Sequence, residues 1–168
     1  MKTMATAPQH LTIEDFERLY GNENGWEYWF GKAVQKPMPT WAHAILQQLI
    51  AELIRQAGYV TGPEVDLRAR PDWRPRPDVS CVGSREGRYP NTLDIAVEIL
   101  SDDEGRYILE KCRNYEKVGI PQVFVLDPET HTIYEWKKGL VEVTDLRLAN
   151  GITVAGETIW AEFEDRMK

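Results

Sequence analysis

Apolar positions recur along the chain with two periods, and the switches between them divide it into elements. In LTIEDFERLY (11–20), Leu11, Phe16, Leu19 and Tyr20 line one side of a short helix that Thr12 is placed to cap, and GNENG (21–25) ends it. WEYWFGKAVQK (26–36) alternates loosely around Gly31 and predicts a strand or hairpin, closed by Pro37 and Pro39. Next, Ile45, Leu46, Leu49, Ile50, Leu53 and Ile54 fall at three- and four-residue spacing between an N-cap candidate, Thr40, and a C′ candidate, Gly58. This is the longest predicted helix, with a wide apolar stripe to bury. Strand-like segments follow at YVTGPEVDLRA (59–69), PRPDVSCV (75–82) and LDIAVEIL (93–100). GRYILEKCRNYEKV (105–118) returns to helical spacing and stops at Gly119, with Pro121 beyond. QVFVLD (122–127), THTIYEWKK (130–138) and LVEVTDLRL (140–148) read as strands, the first two joined through Asp127-Pro128. Asn150-Gly151 marks a turn, and ITVAGETIWAEF (152–163) reads as strand or irregular chain.

Strands grouped in runs, rather than alternating strictly with helices, indicate an α+β (α/β) protein: a central mixed sheet flanked by helices. A length of 168 residues suits one domain over 11–168, with residues 1–10 as a loose tail. Hydrophobic residues at 42% and charged residues at 28% exclude a disordered chain. No apolar run approaches the ~18 residues of a membrane span, so no membrane partner is expected. MKTMATAPQH lacks the apolar segment of an export signal, and a cytoplasmic location is expected. Cys81 and Cys112 lie in different elements and are expected to be reduced and buried, while His10, His43 and His131 show no zinc-ligand spacing with them. The net charge of −7 opposes a general nucleic-acid-coating role. Residues 61–90 differ, with six arginines (68, 70, 74, 76, 85 and 88) and five acids, a local balance of +1. That window reads either as an arginine patch on an acidic body or as solvated surface arginines.

Two carboxylates fall inside apolar strands. In LDIAVEIL, alternation puts Asp94, Ala96, Glu98 and Leu100 on one face and Ile95, Val97 and Ile99 on the other. Asp78 sits the same way in PRPDVSCV. A charged group buried in such strands costs several kcal/mol unless it meets a cation or hydrogen-bond donors. Two acids on neighbouring strands suggest a shared cation, and oxygen ligands select a hard ion such as Mg²⁺ or Mn²⁺. Lys111, thirteen residues after Glu98, lies about two turns into its helix, roughly 9 Å along the axis. A helix packed back over the sheet aims that ammonium at Glu98, with Tyr107 and Tyr115 on the same helical face. Two acids, a metal and a lysine suit phosphodiester hydrolysis. The same residues also fit a buried ion-pair cluster without chemistry.

Pro77-Asp78, Glu98-Ile99-Leu100-Ser101, Lys111, Tyr115, Gly119-Ile120-Pro121 and Val125-Leu126-Asp127-Pro128 occur in an order that resembles the Uma-type putative restriction endonuclease family of the PD-(D/E)xK nuclease superfamily. The likeness runs from about Thr12 to Trp136. It implies a restriction-endonuclease-like core and a Mg²⁺-dependent DNA endonuclease, with Mn²⁺ able to substitute. In the superfamily the lysine usually follows the glutamate by two positions, where this chain has Leu100; in this branch it comes from the next helix, and Lys111 matches. The implied metal ligands are Asp78, Glu98 and the Ile99 backbone carbonyl, with Glu27, directly or through water, as a further acid from WEYWFGK. Asp78, Glu98, Lys111 and Glu27 form the implied catalytic set. His43 matches a family histidine, and Arg76, Trp73 and Tyr115 join it as candidate substrate contacts; Trp73 reads either as a structural loop anchor, the more favoured reading, or as a ring that stacks on a base. Asp102 and Asp103 replace the family's Pro-Ser after Ser101. The expected partners are DNA and further copies of the chain in a homodimer or higher homo-oligomer; Tyr134, Trp136, Trp160 and Phe163 read either as its interface or as core aromatics. The alternatives are a catalytically inactive binding or assembly module with the same fold and a metal-dependent phosphatase.

Overall fold

The computed structural model describes residues 10–101 and 105–168. Of the tail expected over 1–10 only His10 falls within them, and Asp102 and Asp103 lie outside. The first helix, α1 (Ile13–Tyr20), begins where Thr12 accepts a hydrogen bond from the Asp15 N–H at 3.1 Å, and it buries Phe16. β1 (Trp26–Trp29) and β2 (Lys32–Gln35) pair antiparallel about Phe30-Gly31, whose φ angles of 48° and 88° supply the left-handed turn that a tight hairpin needs. In α2 (Trp41–Gln56), the Thr40 hydroxyl takes the His43 N–H at 3.1 Å, and Gly58 ends the helix at φ 105°.

The central sheet has six strands in the order β3 (Val60–Pro63), β5 (Val79–Val82), β6 (Ile95–Ile99), β7 (Gln122–Asp127), β8 (Thr132–Trp136) and β9 (Leu140–Val143). β6 and β7 are its parallel pair, and α3 (Gly105–Lys117) is the crossover that connects them. The short strand β4 (Trp73–Arg74) adds to β1, giving a separate sheet β2-β1-β4. One face of the central sheet buries Val79, Cys81, Ile95, Val97, Ile99, Phe124 and Leu126 against Leu46, Leu49, Ile50 and Ile54 of α2. The other face packs Ala96, Val123 and Val125 against Ile108, Cys112 and Tyr115 of α3, with Trp29 and Trp73 from the small sheet. The two thiols therefore lie in different cores, both free, and burial pushes each up to about 12.

Three expectations are corrected. The strand expected over 59–69 ends at Pro63, because Glu64 takes φ 55° and donates its N–H to the Pro77 carbonyl. The strand expected from Pro75 begins at Val79, since neither Pro75 nor Pro77 has an N–H for a ladder. The segment read as strand or irregular forms β11 (Thr153–Val154), paired with β10 (Leu146–Arg147), and then a helix, α4 (Gly156–Arg166). Its N-cap position holds Ala155, which has no capping side chain; instead the Asp145 carboxylate, eleven residues before Gly156, accepts the Gly156 N–H at 2.9 Å. Phe163 is buried in the core and Trp160 stacks on His131, so two of the aromatics read as interface or core are packed within the chain.

A side chain at Gly156 would place its Cβ 1.9 Å from the Thr144 carbonyl oxygen. Gly156→Ala is expected to destabilise the protein by about 1–3 kcal/mol, read as a lower midpoint in denaturant unfolding. An unchanged midpoint would mean that α4 does not start against Thr144. Among the described residues no helix is long and apolar enough to cross a membrane.

Candidate active site

The register of β5 against β6 pairs Val79 with Val97. One step further back, Asp78 therefore stands opposite Glu98, on the sheet face covered by α3. Asp78 lies just before its strand, where the prolines free it from the ladder. Its Oδ2 accepts the Ile99 N–H at 2.7 Å, and its carbonyl accepts from Gln47 Nε2 at 2.7 Å. His43 Nε2, in the first turn of α2, is 3.3 Å from the same Oδ2. Glu98 Oε1 accepts from the Tyr115 hydroxyl at 2.5 Å and lies 3.0 Å from Lys111 Nζ. Lys111 Nζ also reaches Glu27 Oε1 at 2.7 Å, so one ammonium joins an acid of the small sheet to an acid of the large one. Glu27 is itself fixed by the Arg76 N–H on Oε1 at 2.6 Å and the Trp29 indole N–H on Oε2 at 2.9 Å.

The structure thus brings Asp78, Glu98, Lys111, Glu27, His43, Tyr115 and the Ile99 backbone together. Arg76 takes part through its main chain. Trp73 is 0% exposed, wedged among Trp29, Phe30 and Tyr115, so it is a structural anchor, and its place among the candidate substrate contacts is corrected: no face is open to a base. Tyr115 is equally buried and touches Glu98 rather than an open surface. Arg68, Arg70 and Arg74 are paired with Asp66, Asp72 and Glu17, which for half of the arginines of that window favours the reading as surface arginines over a patch.

The sequence reading missed Lys36. Just past β2, its ammonium contacts both Glu64 oxygens at 2.9 Å, the Arg76 carbonyl at 2.8 Å and Asp78 Oδ1 at 3.0 Å. The signal was alternation: Glu27 pairs with Val34, and Lys36 follows Val34 by two, returning to the same face.

These contacts separate the two acids. Burial by itself would raise the Asp78 carboxyl, but the Lys36 ammonium, and then His43, outweigh burial and hold it well below the ordinary carboxylate range. Burial dominates at Glu98; Lys111 offsets it in part, Asp78 adds to it, and the carboxyl is pushed up to about 8. Burial alone would lower the Lys111 ammonium, but Glu27 first, then Glu98 and Asp78, keep it above its usual value. Burial, followed by Glu98 and Glu27, raises the Tyr115 phenol well above 10. Asp78 therefore stays ionised while its neighbour tends to hold a proton, a division of labour suited to acid–base chemistry. A cavity of about 370 Å³ opens onto Glu27, Lys36 and Lys111.

A family model described as Uma2, putative restriction endonuclease, matches residues 13–161. Among solved structures, the chain is similar to a putative nuclease belonging to DUF820 from Anabaena variabilis ATCC 29413, with a TM-score of 0.72 and 22% identity over 91% of this chain and 99% of that one. At that identity the likeness shows the fold. No curated protein matches the chain.

Proposed function

This chain belongs to the Uma2 putative restriction endonuclease family, and on that premise we propose that it is a divalent-metal-dependent deoxyribonuclease acting through Asp78, Glu98 and Lys111. The observation that carries the reading is Lys111 Nζ, bridging Glu27 and Glu98 at 2.7 and 3.0 Å beside Asp78. Among the described residues no three acid, histidine or cysteine side chains gather into a metal cage. Mg²⁺ does not require one, since it typically takes one or two carboxylates and keeps waters and substrate phosphate. The donor set of Asp78, Glu98 and the Ile99 carbonyl fits such an ion, with Mn²⁺ an acceptable substitute. Bound there, the ion would supply Lewis-acid charge and lower the pKa of a water.

The chain's own groups divide the remaining work. Lys111 orients the attacking water and offsets charge developing on the phosphate. Glu27 Oε1 receives both Lys111 Nζ and the Arg76 N–H, so Glu27 positions Lys111, and its remaining lone pairs would serve the ion directly or through water. Tyr115 fixes the Glu98 carboxyl, and His43 sits beside Asp78. A homodimer would let two sites cut opposite strands of DNA.

The test is cleavage of plasmid and of single-stranded DNA with Mg²⁺ or Mn²⁺ by wild type, Glu98→Ala and Lys111→Ala. Each variant is expected to lose on the order of a hundredfold or more in rate. Equal cleavage by all three removes the assignment. The contact between Lys36 and Asp78 favours a second reading, a non-cleaving binding module, because an ammonium already neutralises the acid. That reading expects no stabilisation by divalent ions.

A further inference from the structure

We propose that the cavity above Lys111 receives one unstacked nucleotide, its base held between Tyr107 and Met38, so that the preferred substrate is single-stranded or frayed DNA rather than intact duplex. The inference rests on the nuclease reading and names its substrate class.

The cavity has a charged floor and an apolar rim. Glu27, Lys36, Lys111, Trp29, Ile108, Tyr107 and Met38 all line it; Glu27, Lys111, Trp29 and Ile108 are buried, whereas Tyr107 and Met38 are exposed and so mark its solvent side. Tyr107 is 47% exposed although its ring meets Trp29 at a near-right angle of 86°, with centroids 6.0 Å apart, so the ring is braced on one side and open elsewhere. Met38 is 86% exposed. An exposed aromatic ring and an exposed, polarisable thioether lining the same cavity offer a base two apolar surfaces. Tyr107 and Lys111 are four residues apart on α3, hence one turn and about 6 Å along the axis, which one nucleotide can span from base to phosphate.

Size and charge point the same way. A volume of 370 Å³ is near the lower end of the roughly 300–1,000 Å³ of small-molecule pockets, enough for one extruded nucleotide and too small for a base pair with its backbones. Duplex affinity comes mainly from many Lys and Arg contacts to phosphates. Here the net charge is −7, and Arg68, Arg70 and Arg74 already have carboxylate partners. Stacking is the larger resource, and it acts on a base only after the base leaves its stack.

Fluorescence anisotropy with a labelled single-stranded oligonucleotide, and with the same sequence as a blunt duplex, tests this without cleavage. Wild type is expected to bind the single strand more tightly. Tyr107→Ala should weaken single-strand binding by about tenfold, Met38→Ala should weaken it less, and Tyr107→Phe should restore it. Tyr107 is exposed enough for these variants to fold, which circular dichroism checks. Equal affinity for the two DNA forms, or indifference to Tyr107→Ala, overturns the inference. If plasmid cleavage still depends on Lys111 in that case, the nuclease reading stands without it. If no form of DNA is bound or cut, both fall.

Discussion

Lys111→Met is expected to abolish cleavage and to destabilise the fold by about 3–5 kcal/mol, because removing one partner of a buried ion pair leaves uncompensated charge. At this chain length that corresponds to a melting temperature lower by on the order of 10 °C. The reason is specific to the geometry. Lys111 Nζ is within 3.0 Å of Glu98 and 2.7 Å of Glu27, and all three side chains are buried. Methionine keeps the length of the stem but gives neither carboxylate a donor. The two losses can be separated. Adding Glu98→Gln to Lys111→Met removes an acid that must hold its proton to stay buried and should recover part of the stability near neutral pH, while cleavage stays absent. The deficit of the single variant should also widen from pH 5 to pH 8, as its stranded acids are made to ionise. A variant that melts like wild type would show that Lys111 lies in solvent, and the site would lose its centre.

The sequence made much of this cluster legible because burial and charge conflict there. Asp78 and Glu98 stand out in strands that are otherwise apolar, and strand alternation alone puts Glu98 on the face opposite Val97 and Ile99. The spacing of Lys111 in a helix with a clear Gly119 stop brought the ammonium within reach. Thr40, Thr12 and Gly58 marked helix ends through local chemistry, and local chemistry is what a sequence displays. What it hid depends on contacts between distant segments. α4 lacks a capping side chain of its own and borrows Asp145, so its start carried no signal. Trp73 was read from its arginine neighbours, yet pairing of β4 with β1 turns it inward. Lys36 sits among prolines at the end of a hairpin, and only the assembly of two sheets brings it to Asp78.

Glu98→Gln is expected to change how stability depends on pH, and the sign follows from its carboxyl being held near 8 in the fold against 4.5 as its ordinary value. Between about pH 4.5 and 8 the folded state retains a proton that the unfolded chain has released, so stability falls as pH rises through that window. Asp78 does not oppose this trend. Its carboxyl is depressed, so its contribution is fully present above its ordinary 3.8 and is lost only in stronger acid. Lys36 and Lys111, both raised, contribute fully below their ordinary 10.5. Denaturant unfolding of metal-free wild type and Glu98→Gln, compared at each pH, cancels the other titrating groups. The variant should gain on wild type steadily from pH 5 to 8 and level off above. Divalent ions then add a second test. A cation that needs the Glu98 carboxylate must displace its proton, so Mg²⁺ or Mn²⁺ should stabilise wild type increasingly with pH and leave Glu98→Gln nearly unmoved. A parallel pair of curves without metal would mean that Glu98 is already ionised in the fold. Stabilisation of both proteins alike by the ion would move the metal away from Glu98, and with it the chemistry assigned to this face of the sheet.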